Sequence, residues 1–276
     1  MKIRSLIIFV IALTNFMFGW GDQGHKLINN KAIAFLPAEM SAFTKWQDYI
    51  TIHAVDPDNR KKDDKTEPPK HFIDIDYYKE YNSGKMIENK KELAAIYGDS
   101  MVTKQGTLPW ATFDSFNKLV TALKDKNKND ILLYTSDLGH YVGDGHQPMH
   151  TMLNYNGQLT NQKGLHARYE IKMVDKYIED IKASITVVNV KKVDDPFAFI
   201  FNYITDANTV QSILTEADKD AVKIAGTNDN DENLRLMWFK TKYVTEIQFN
   251  TAVSDLASLI YTAWIDAGKP DLTNIK

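Results

Sequence analysis

The chain has 276 residues, 43% of them hydrophobic, which is enough to build a sizeable core in one large domain or two small ones. With a formal net charge of −3, a broadly basic surface that would bind nucleic acid cannot be inferred from the composition. Any contact with nucleic acid therefore has to come from a local site. The sequence has no cysteine, which excludes disulfides and thiolate metal ligands and leaves histidine, carboxylates and backbone groups as candidate ligands.

Residues 1–19 are predicted to be an export signal. Two basic residues, a nearly all-apolar stretch and a small residue at a plausible cleavage point, Gly19, follow one another. The apolar stretch is too short for a comfortable membrane span, and an uncleaved anchor is the alternative. Cleavage before Trp20 would leave a domain of residues 20–276 that is secreted or held in the periplasm or cell envelope. Its net charge would be −5, because the signal carries two basic residues and no acidic ones.

The first part of the domain is predicted to contain two helices and a long loop. Apolar residues recur at helical spacing after Trp20 until Pro37 ends the run, and a second helix is predicted over residues 38–53. The polar stretch 59–70 that follows is long enough to indicate function or disorder. Residues 71–78 alternate apolar and polar side chains like a strand but have no partner strand, so we interpret them as an extended segment that crosses a pocket.

The rest of the chain is predicted to be a series of helices joined by turn-rich segments. A loop over 152–164 is rich in turn formers, and residues 186–196 form either a short strand or a connector. The predicted helices span 86–97, 109–124, 130–145, 166–185, 197–205, 210–224 and 233–267, the last broken once. Because helical periodicity dominates and no strand pairs are found, we predict a single all-α domain of many helices.

The stretch His140-Tyr-Val-Gly-Asp144-Gly-His146-Gln-Pro148-Met-His150 is the richest in potential metal ligands. On a helix, His140 and Asp144 lie four positions apart and therefore share one face. Pro148 breaks the helix, which allows His150 to reach a different point of the same pocket. Imidazole nitrogens and carboxylate oxygens at helical spacing are typical of zinc sites. The alternative for one such pair is two solvated polar residues beside a capped helix end.

Three further histidines extend this pattern. His166 and Glu170 form a second pair at the same four-residue spacing. His71 opens the apolar run His-Phe-Ile-Asp, and His25 lies five residues after Trp20. Two pairs of histidine and acid on predicted helices favour a metal site over scattered surface histidines.

Four motifs follow one another along the chain: Trp-x4-His at 20–25, an aspartate ahead of His-Phe-Ile-Asp at 71–74, His-x3-Asp-x-His-Gln-Pro-Met-His at 140–150, and His-x3-Glu at 166–170. Together, behind an export signal, they resemble the phospholipase C/P1 nuclease superfamily, which contains the S1/P1 nucleases and the bacterial zinc-dependent phospholipases C. The resemblance covers residues 20–170 as motifs and the remainder only as helical pattern. It implies an all-α fold of the phospholipase C/P1 nuclease type with a cleft for three zinc ions, in a hydrolase that cleaves phosphate esters.

The resemblance also implies a ligand set for each zinc ion. One zinc of a close pair would be held by Asp58, His71, His140 and Asp144. Its neighbour would share Asp144 as a bridge and would add His25 and, after cleavage of the signal, the amino nitrogen and carbonyl oxygen of Trp20. The third zinc would be held by His150, His166 and Glu170. Neutral imidazoles and carboxylates suit Zn²⁺, and two metals about 3.5–4 Å apart can clamp a phosphoryl group during in-line displacement.

Two of these assignments leave an alternative open. Asp56 competes with Asp58 for the ligand position, and Asp58 is favoured because a Pro-Asp before a basic loop fits the nuclease pattern better. The phosphate-neutralising arginine of the nucleases falls near Lys61, with Arg60 beside it. Lys61 would bind phosphate as a point charge rather than as a planar fork. Asp58, Asp144 and Lys61 are therefore the expected catalytic residues.

The residues that would contact substrate are also assigned through the resemblance. Phe72 and Asp74 fall where the nucleases stack and hydrogen-bond a base, and an aromatic ring is the usual sequence-tolerant grip on single strands. The alternative for Phe72 is plain core filler. Glu170 stands where the nucleases have an aspartate and resembles the phospholipase side. His53 and His146 are interpreted as structural, since a histidine beside a metal site more often orients a ligand than binds the ion.

Three functions are therefore compared. A secreted, single-strand-specific endonuclease and 3′-nucleotidase acting on DNA and RNA is favoured by His-Phe-Ile-Asp and His-Gln-Pro-Met-His. A zinc-dependent phospholipase C acting on phospholipid head groups is favoured by Glu170 and the acidic net charge. A non-catalytic, zinc-stabilised envelope protein is disfavoured by the complete ligand set. We expect a monomer without an obligate protein partner, whose substrate is single-stranded nucleic acid or a nucleotide, or else phospholipid.

Overall fold

The computed structural model describes residues 20–186, 188–273 and 275, and the predicted export signal, residues 1–19, lies outside them. The secondary structure of the described residues is helical and contains no strand, which confirms the predicted all-α fold. The α-helices, in chain order, are α1 (Gly21–Ala34), α2 (Ala42–Ile52), α3 (Asp56–Arg60), α4 (Lys79–Asn82), α5 (Lys90–Tyr97), α6 (Asp99–Lys104), α7 (Leu108–Asp125), α8 (Lys128–Gly145), α9 (Leu165–Ala167), α10 (Val174–Lys176), α11 (Ile178–Ser184), α12 (Pro196–Thr209), α13 (Gln211–Ala225) and α14 (Asp231–Asp266). Within these ranges no helix combines the length and the hydrophobicity that a membrane crossing needs.

Helix α8 lies in the interior of the fold and carries the His140–Asp144 pair. Every residue from Thr135 to Gly145 is buried. The helix packs along α7 and is also contacted by α1, α2 and α14. Because this half of α8 has no solvent-facing side, its polar groups must find partners or a ligand inside the protein.

Two glycines of α8 allow α1 to approach it closely. A Cβ atom at Gly139 would lie 2.0 Å from Asn29 Oδ1, and one at Gly143 would lie 2.9 Å from His25 Nδ1. A side chain at either position would therefore push α1 away. The close approach brings His25 of α1 against the half of α8 that carries the ligand candidates.

Helix α14 is more continuous than the sequence pattern indicates. The break predicted within residues 233–267 is wrong, because α14 runs for 36 residues without interruption. It contains no proline and no glycine, the residues that most often break or kink a helix. The side chain of Asn230 caps its start by accepting a hydrogen bond from the Asn233 N–H. α14 packs against α13, α1, α7 and α8 and closes the core.

The polar stretch predicted as one long loop is partly helical. Helix α3 begins at Asp56, because Pro57 fits the first turn of a helix, where its missing N–H costs nothing. Pro68–His71 then form a 3₁₀ turn that ends at a candidate ligand. The irregular part is therefore confined to residues 61–67.

Residues 71–78 are extended only in part. Phe72 has extended backbone angles, with φ −152° and ψ 167°, whereas Ile75–Tyr77 form a 3₁₀ turn. The Ile73 N–H donates a hydrogen bond of 2.9 Å to the carbonyl oxygen of His150. The segment therefore lies against the turn that follows α8, and it forms no ladder with another strand in the described part of the chain.

The helix predicted over 166–185 is interrupted. Between α9 and α10, Arg168–Met173 are wound as a π-helix, a rare geometry that occurs frequently at functional sites. In the segment 186–196, the described residues up to 195 are a connector and Pro196 begins α12; the Val193 N–H donates to Thr262 Oγ1 of α14 at 2.9 Å. The strand alternative for this segment is therefore wrong for the residues described.

Candidate metal centre

The His140–Asp144 pair is fully buried on α8. His140 Nε2 lies 3.2 Å from Asp144 Oδ2. The other ring nitrogen, Nδ1, donates a hydrogen bond of 2.8 Å to the carbonyl oxygen of Ala54. Because Nδ1 holds the proton, the lone pair of Nε2 is available on the side of Asp144. This is the orientation in which a neutral imidazole binds a metal.

Asp58 and His71 join His140 in what we call the first group. The three ligand atoms lie within 4.8 Å of one another. His71 Nδ1 is 2.9 Å from His140 Nε2 and 3.5 Å from Asp58 Oδ1. Two imidazole nitrogens at such a distance must share either a proton or a cation.

His25 joins His140 and Asp144 in the second group. Its ring stacks on that of His140, with centroids 3.9 Å apart and planes 15° apart, and its Nε2 lies 3.5 Å from Asp144 Oδ1. Among the described residues, neither ring nitrogen of the buried His25 has a hydrogen-bond partner. Buried polar atoms without a partner are costly, so these nitrogens indicate a ligand.

Asp144 connects the groups. Its Oδ2 lies 3.0 Å from His71 Nδ1 and 3.2 Å from His140 Nε2. Its Oδ1 lies 3.5 Å from His25 Nε2 and 3.2 Å from His150 Nδ1. The two oxygens of one carboxylate therefore face different ligand sets, which is what a bridging ligand requires.

His150, His166 and Glu170 form the third group. His166 Nε2 lies 2.7 Å from Glu170 Oε2 and 3.0 Å from His150 Nε2. His150 Nδ1 donates to the carbonyl oxygen of His71 at 2.6 Å, which leaves its Nε2 lone pair for the group. Gln147 donates to Glu170 Oε2 at 2.8 Å and so orients that carboxylate.

Burial and the attraction between imidazoles and carboxylates set the charges in this centre. Burial lowers the pKa of His25 well below its usual value, and His140 lowers it further. Burial also lowers the pKa of His150, but Asp144 and Glu170 outweigh it and raise that pKa to about 10, so a cation that binds at Nε2 has to displace a proton from this nitrogen. Burial raises the pKa of Asp144, but His140 and His150 outweigh it and hold that pKa well below the usual range. The Asp144 carboxylate is therefore ionised and attracts cations.

The structure brings Asp58, and not Asp56, to the cluster. The Asp56 side chain is 41% exposed and pairs with His53 at 2.6 Å. Asp58 is buried, within reach of His71 and His140. Asp56 therefore pairs with His53 and lies outside the cluster.

Lys61 and Arg60 have different surroundings. The Lys61 side chain is nearly buried, and its Nζ lies 2.6 Å from Asp58 Oδ1. Arg60 donates to both oxygens of Asp137, at 3.1 and 2.8 Å, and its Nε lies 3.6 Å from Glu67 Oε2. Lys61 is therefore the basic residue that adjoins the candidate ligands.

Phe72 and Asp74 lie on the segment that is hydrogen-bonded to His150. Phe72 is half-buried and does not belong to the described side chains that pack against the core, which argues against plain core filler. Burial raises the pKa of Asp74, and the neighbouring Asp76 adds to the effect, to about 7. A carboxyl with this pKa is present in both its protonated and ionised forms near neutral pH.

Trp20 lies at the start of α1, five residues before His25. Its indole ring is buried against Phe249 and Tyr169, with ring centroids 4.5 and 5.8 Å away. This packing anchors the beginning of the domain.

His146 lies outside the three groups. Its ring stacks on that of Tyr203, and its Nε2 lies 3.1 Å from Asp255 Oδ2.

Sequence reasoning missed two buried polar residues around the centre. Glu67 is 1% exposed, accepts hydrogen bonds from Lys70 and Tyr141, and lies 3.4 Å from His71 Nε2. Gln147, described above, orients a carboxylate of the third group. The four-residue spacing of Glu67 and His71 and the place of Gln147 inside the His-Gln-Pro-Met-His motif are the signals that could have found them.

The residues present fit divalent metal ions. Of the nine ligands implied by the resemblance, eight are brought together in the three groups, and the ninth, Trp20, lies at the start of α1. Imidazole and carboxylate donors suit zinc. The orphaned nitrogens of His25 and His166 Nδ1 show that protein groups alone do not satisfy the centre among the described residues.

Comparison with known proteins matches most of the chain rather than one motif. A family model described as S1/P1 Nuclease matches residues 20–260. The match begins at Trp20 and includes all three groups. No curated protein matches the chain.

Proposed function

The chain belongs to the S1/P1 nuclease family, and from this premise we propose that it is a zinc-dependent, single-strand-specific endonuclease and 3′-nucleotidase. Membership of this family implies a hydrolase acting on phosphodiester bonds. The observation that carries the finer proposal is the set of three ligand groups, two of them joined through Asp144.

Three zinc ions are proposed as cofactors. One would be held by Asp58, His71, His140 and Asp144, the next by Asp144, His25 and the backbone of Trp20, and the third by His150, His166 and Glu170. When bound, zinc supplies Lewis acidity toward phosphate oxygens and lowers the pKa of water that attacks the phosphorus.

The protein's own residues prepare the centre for this chemistry. His140 and His150 keep a proton on Nδ1 by donating to backbone carbonyls, which leaves Nε2 for a cation. Lys61, beside Asp58, would neutralise part of the phosphate charge as a point charge. Because the cluster is buried, attraction between its charges is stronger than in water.

Phe72 and Asp74 are proposed to bind a base of the substrate. Stacking on the half-buried Phe72 ring would hold a splayed-out base without strong sequence preference. Asp74, with a pKa of about 7, can accept a hydrogen bond when ionised and donate one when protonated. Both properties support a single-stranded substrate, whose base edges are free.

A zinc-dependent phospholipase C is the second candidate, and Glu170 in the third group favours it. A paired assay on single-stranded oligonucleotides and on phosphatidylcholine, together with metal analysis, tests the proposal. We expect about three zinc ions per chain and turnover of the oligonucleotide. Activity on phospholipid alone would promote the phospholipase. A fully metal-loaded protein without either activity would favour a non-catalytic, zinc-stabilised envelope protein.

We further propose that the chain is exported and that cleavage before Trp20 completes the metal centre. An amide nitrogen is a poor zinc ligand because its lone pair is delocalised into the carbonyl. A free α-amino group titrates near 8, so zinc can displace its proton around neutral pH. A chain whose first residue is Trp20 should therefore bind the full metal complement, whereas the precursor and a chain with one extra Met should not.

Metal analysis and turnover of the three purified forms measure this difference. All three keep the indole of Trp20, so a difference in metal content would not come from loss of the side chain that contacts Phe249. Equal metal content in the Met-extended chain would leave Trp20 as a core residue only.

A further inference from the structure

A carboxylate outside the three groups faces the ring nitrogen of His71 that points away from Asp144 and His140. Glu67 is buried, and its Oε1 lies 3.4 Å from His71 Nε2. The opposite nitrogen of the same ring, Nδ1, faces Asp144 and His140 at 3.0 and 2.9 Å. In the described part of the chain, His71 Nε2 makes no hydrogen bond of ordinary length, so Glu67 is the acceptor that it faces.

Glu67 is itself held from several sides. Lys70 donates to its Oε2 at 2.8 Å, Arg60 Nε lies 3.6 Å from the same oxygen, and the Tyr141 hydroxyl donates to Oε1. The 3₁₀ turn Pro68–His71 follows Glu67 directly, and its two prolines restrict the backbone between the carboxylate and the imidazole. The orientation of Glu67 is therefore fixed without help from His71.

The other ligand histidines with an identified acceptor use the backbone. His140 Nδ1 donates to the Ala54 carbonyl, and His150 Nδ1 donates to the His71 carbonyl. Glu67 differs because it is a side chain and carries a charge, which raises the basicity of an imidazole more than a neutral carbonyl does. It can also be removed by mutation without altering the main chain.

We propose that Glu67 is a positioning residue that selects Nδ1 of His71 as the metal ligand by holding the ring proton on Nε2. The inference rests on the proposed metal function and adds a residue outside its ligand set. Without this acceptor, the proton on Nε2 would be left unpaired in a buried place, and the ring would lose its fixed orientation and tautomer. Metal binding should weaken in the first group and stay unchanged in the third.

An open pocket adjoins the buried Glu67. It has a volume of about 270 Å³, and its lining includes Glu67, Arg60, Lys70, Tyr141 and Asp137. Removal of the Glu67 carboxylate would open a space beside these cationic and hydroxyl groups. A small carboxylate such as formate can enter that space and accept the proton of His71 Nε2, which gives the positioning role a chemical test.

The experiment uses Glu67→Ala in the full-length mature protein. Zinc affinity in the first group should fall by about 10–100-fold in competition with a chromophoric chelator. In the cobalt-substituted protein, visible absorption from the first group should change, while absorption from the third group should not. Formate should restore the affinity and the absorption toward wild type. Glu67→Gln, which keeps an oxygen acceptor but loses the charge, should show a smaller but measurable loss.

Asp137→Ala is the matched control. It removes another buried carboxylate of the same pocket and a partner of Arg60, so it should keep wild-type zinc affinity and not respond to formate. Wild-type affinity in Glu67→Ala, or a loss that formate does not restore, would overturn the inference. If Glu67→Ala does not fold, unchanged affinity in Glu67→Gln overturns it instead. Wild-type protein that binds no zinc would contradict the proposed function rather than the role of Glu67.

Discussion

Among single residues, Asp144 links ligand groups of the centre, because its two oxygens face different sets of histidines. Asp144→Asn keeps the size of the side chain but removes its negative charge from between the proposed cations. We expect loss of at least one zinc ion and of nearly all phosphodiesterase activity. Metal analysis and turnover of a nitrophenyl phosphodiester measure both effects.

Asp137→Asn is the control for this substitution. Asp137 is also a buried aspartate of α8, but it pairs with Arg60 rather than with the ligand histidines. The Asp137→Asn protein should therefore keep its full metal content. An Asp144→Asn protein with full metal content and near-normal turnover would contradict the bridging role.

Phe72 provides a second test at the residue scale, directed at the substrate. If a base stacks on its ring, Phe72→Ala should raise the Michaelis constant for a single-stranded oligonucleotide by an amount equivalent to about 1–3 kcal/mol. Hydrolysis of a bare nitrophenyl ester, which has no base, should change little. Phe239→Ala is a suitable control, since Phe239 is an exposed aromatic residue on α14. Equal losses on both substrates would indicate a packing role for Phe72.

The candidate ligand residues could be predicted from the sequence where helical spacing brings two of them together. His140 and Asp144 are such a pair on α8, and His166 and Glu170 meet at the same spacing across the junction of α9 and the π-helical segment. Glu67 was missed although it lies near His71 in the chain. Its proposed role depends on the 3₁₀ turn Pro68–His71, and the four-residue spacing alone, outside a predicted helix, did not single it out.

At the scale of elements, helices with a regular apolar period were predicted within a few residues of their observed bounds, as for α7 and α8. The errors fall where a tertiary contact decides the backbone. The unbroken course of α14 is the exception, because its lack of proline and glycine is visible in the sequence. The π-helical turn Arg168–Met173, by contrast, packs against α14, for instance with the Tyr169 hydroxyl 3.0 Å from Thr245 Oγ1. Sequence spacing contains no such information.

A buried ion pair fixes the π-helical turn to α13. Arg168 donates to both oxygens of Asp218 at 2.9 Å, and both side chains are buried. Asp218→Ala would leave the buried Arg168 with hydrogen bonds to two backbone carbonyls but without its counter-charge, so we expect the free energy of unfolding to fall by about 3–5 kcal/mol. Urea denaturation of the metal-loaded protein measures this loss.

Asp220→Ala is the comparison for that measurement. Asp220 lies on the same helix but pairs with Lys240 at the surface, where both side chains are substantially exposed. Its removal should cost at most about 1 kcal/mol. If the two variants unfold at the same urea concentration, the buried pair does not stabilise the fold.

At the scale of the whole molecule, the proposed metal ions connect elements that are far apart in the chain. The eight candidate ligands in the three groups come from α1, α3, α8, the π-helical segment with α9, and two 3₁₀ turns. Binding to the folded state alone stabilises it by about 3 kcal/mol per site when free metal is 100 times its dissociation constant. Chelation should therefore lower the melting temperature as well as abolish activity, and added zinc should restore both. A melting temperature that does not respond to chelator would contradict a metal centre of this kind.

The packing of α1 against α14 also has a consequence for the order of events during synthesis. Trp20 contacts Phe249, so the first described residue and a residue near the end of the chain share one part of the core. A ribosome releases the chain from its amino terminus, and contacts between distant residues form late. Helix α1, with His25, cannot settle against α14 until almost the whole chain has emerged. We therefore expect the second group to assemble last, which pulsed hydrogen exchange on nascent and completed chains would reveal as late protection of α1. Until that moment, we expect His25 to stay apart from His140 and Asp144 on α8.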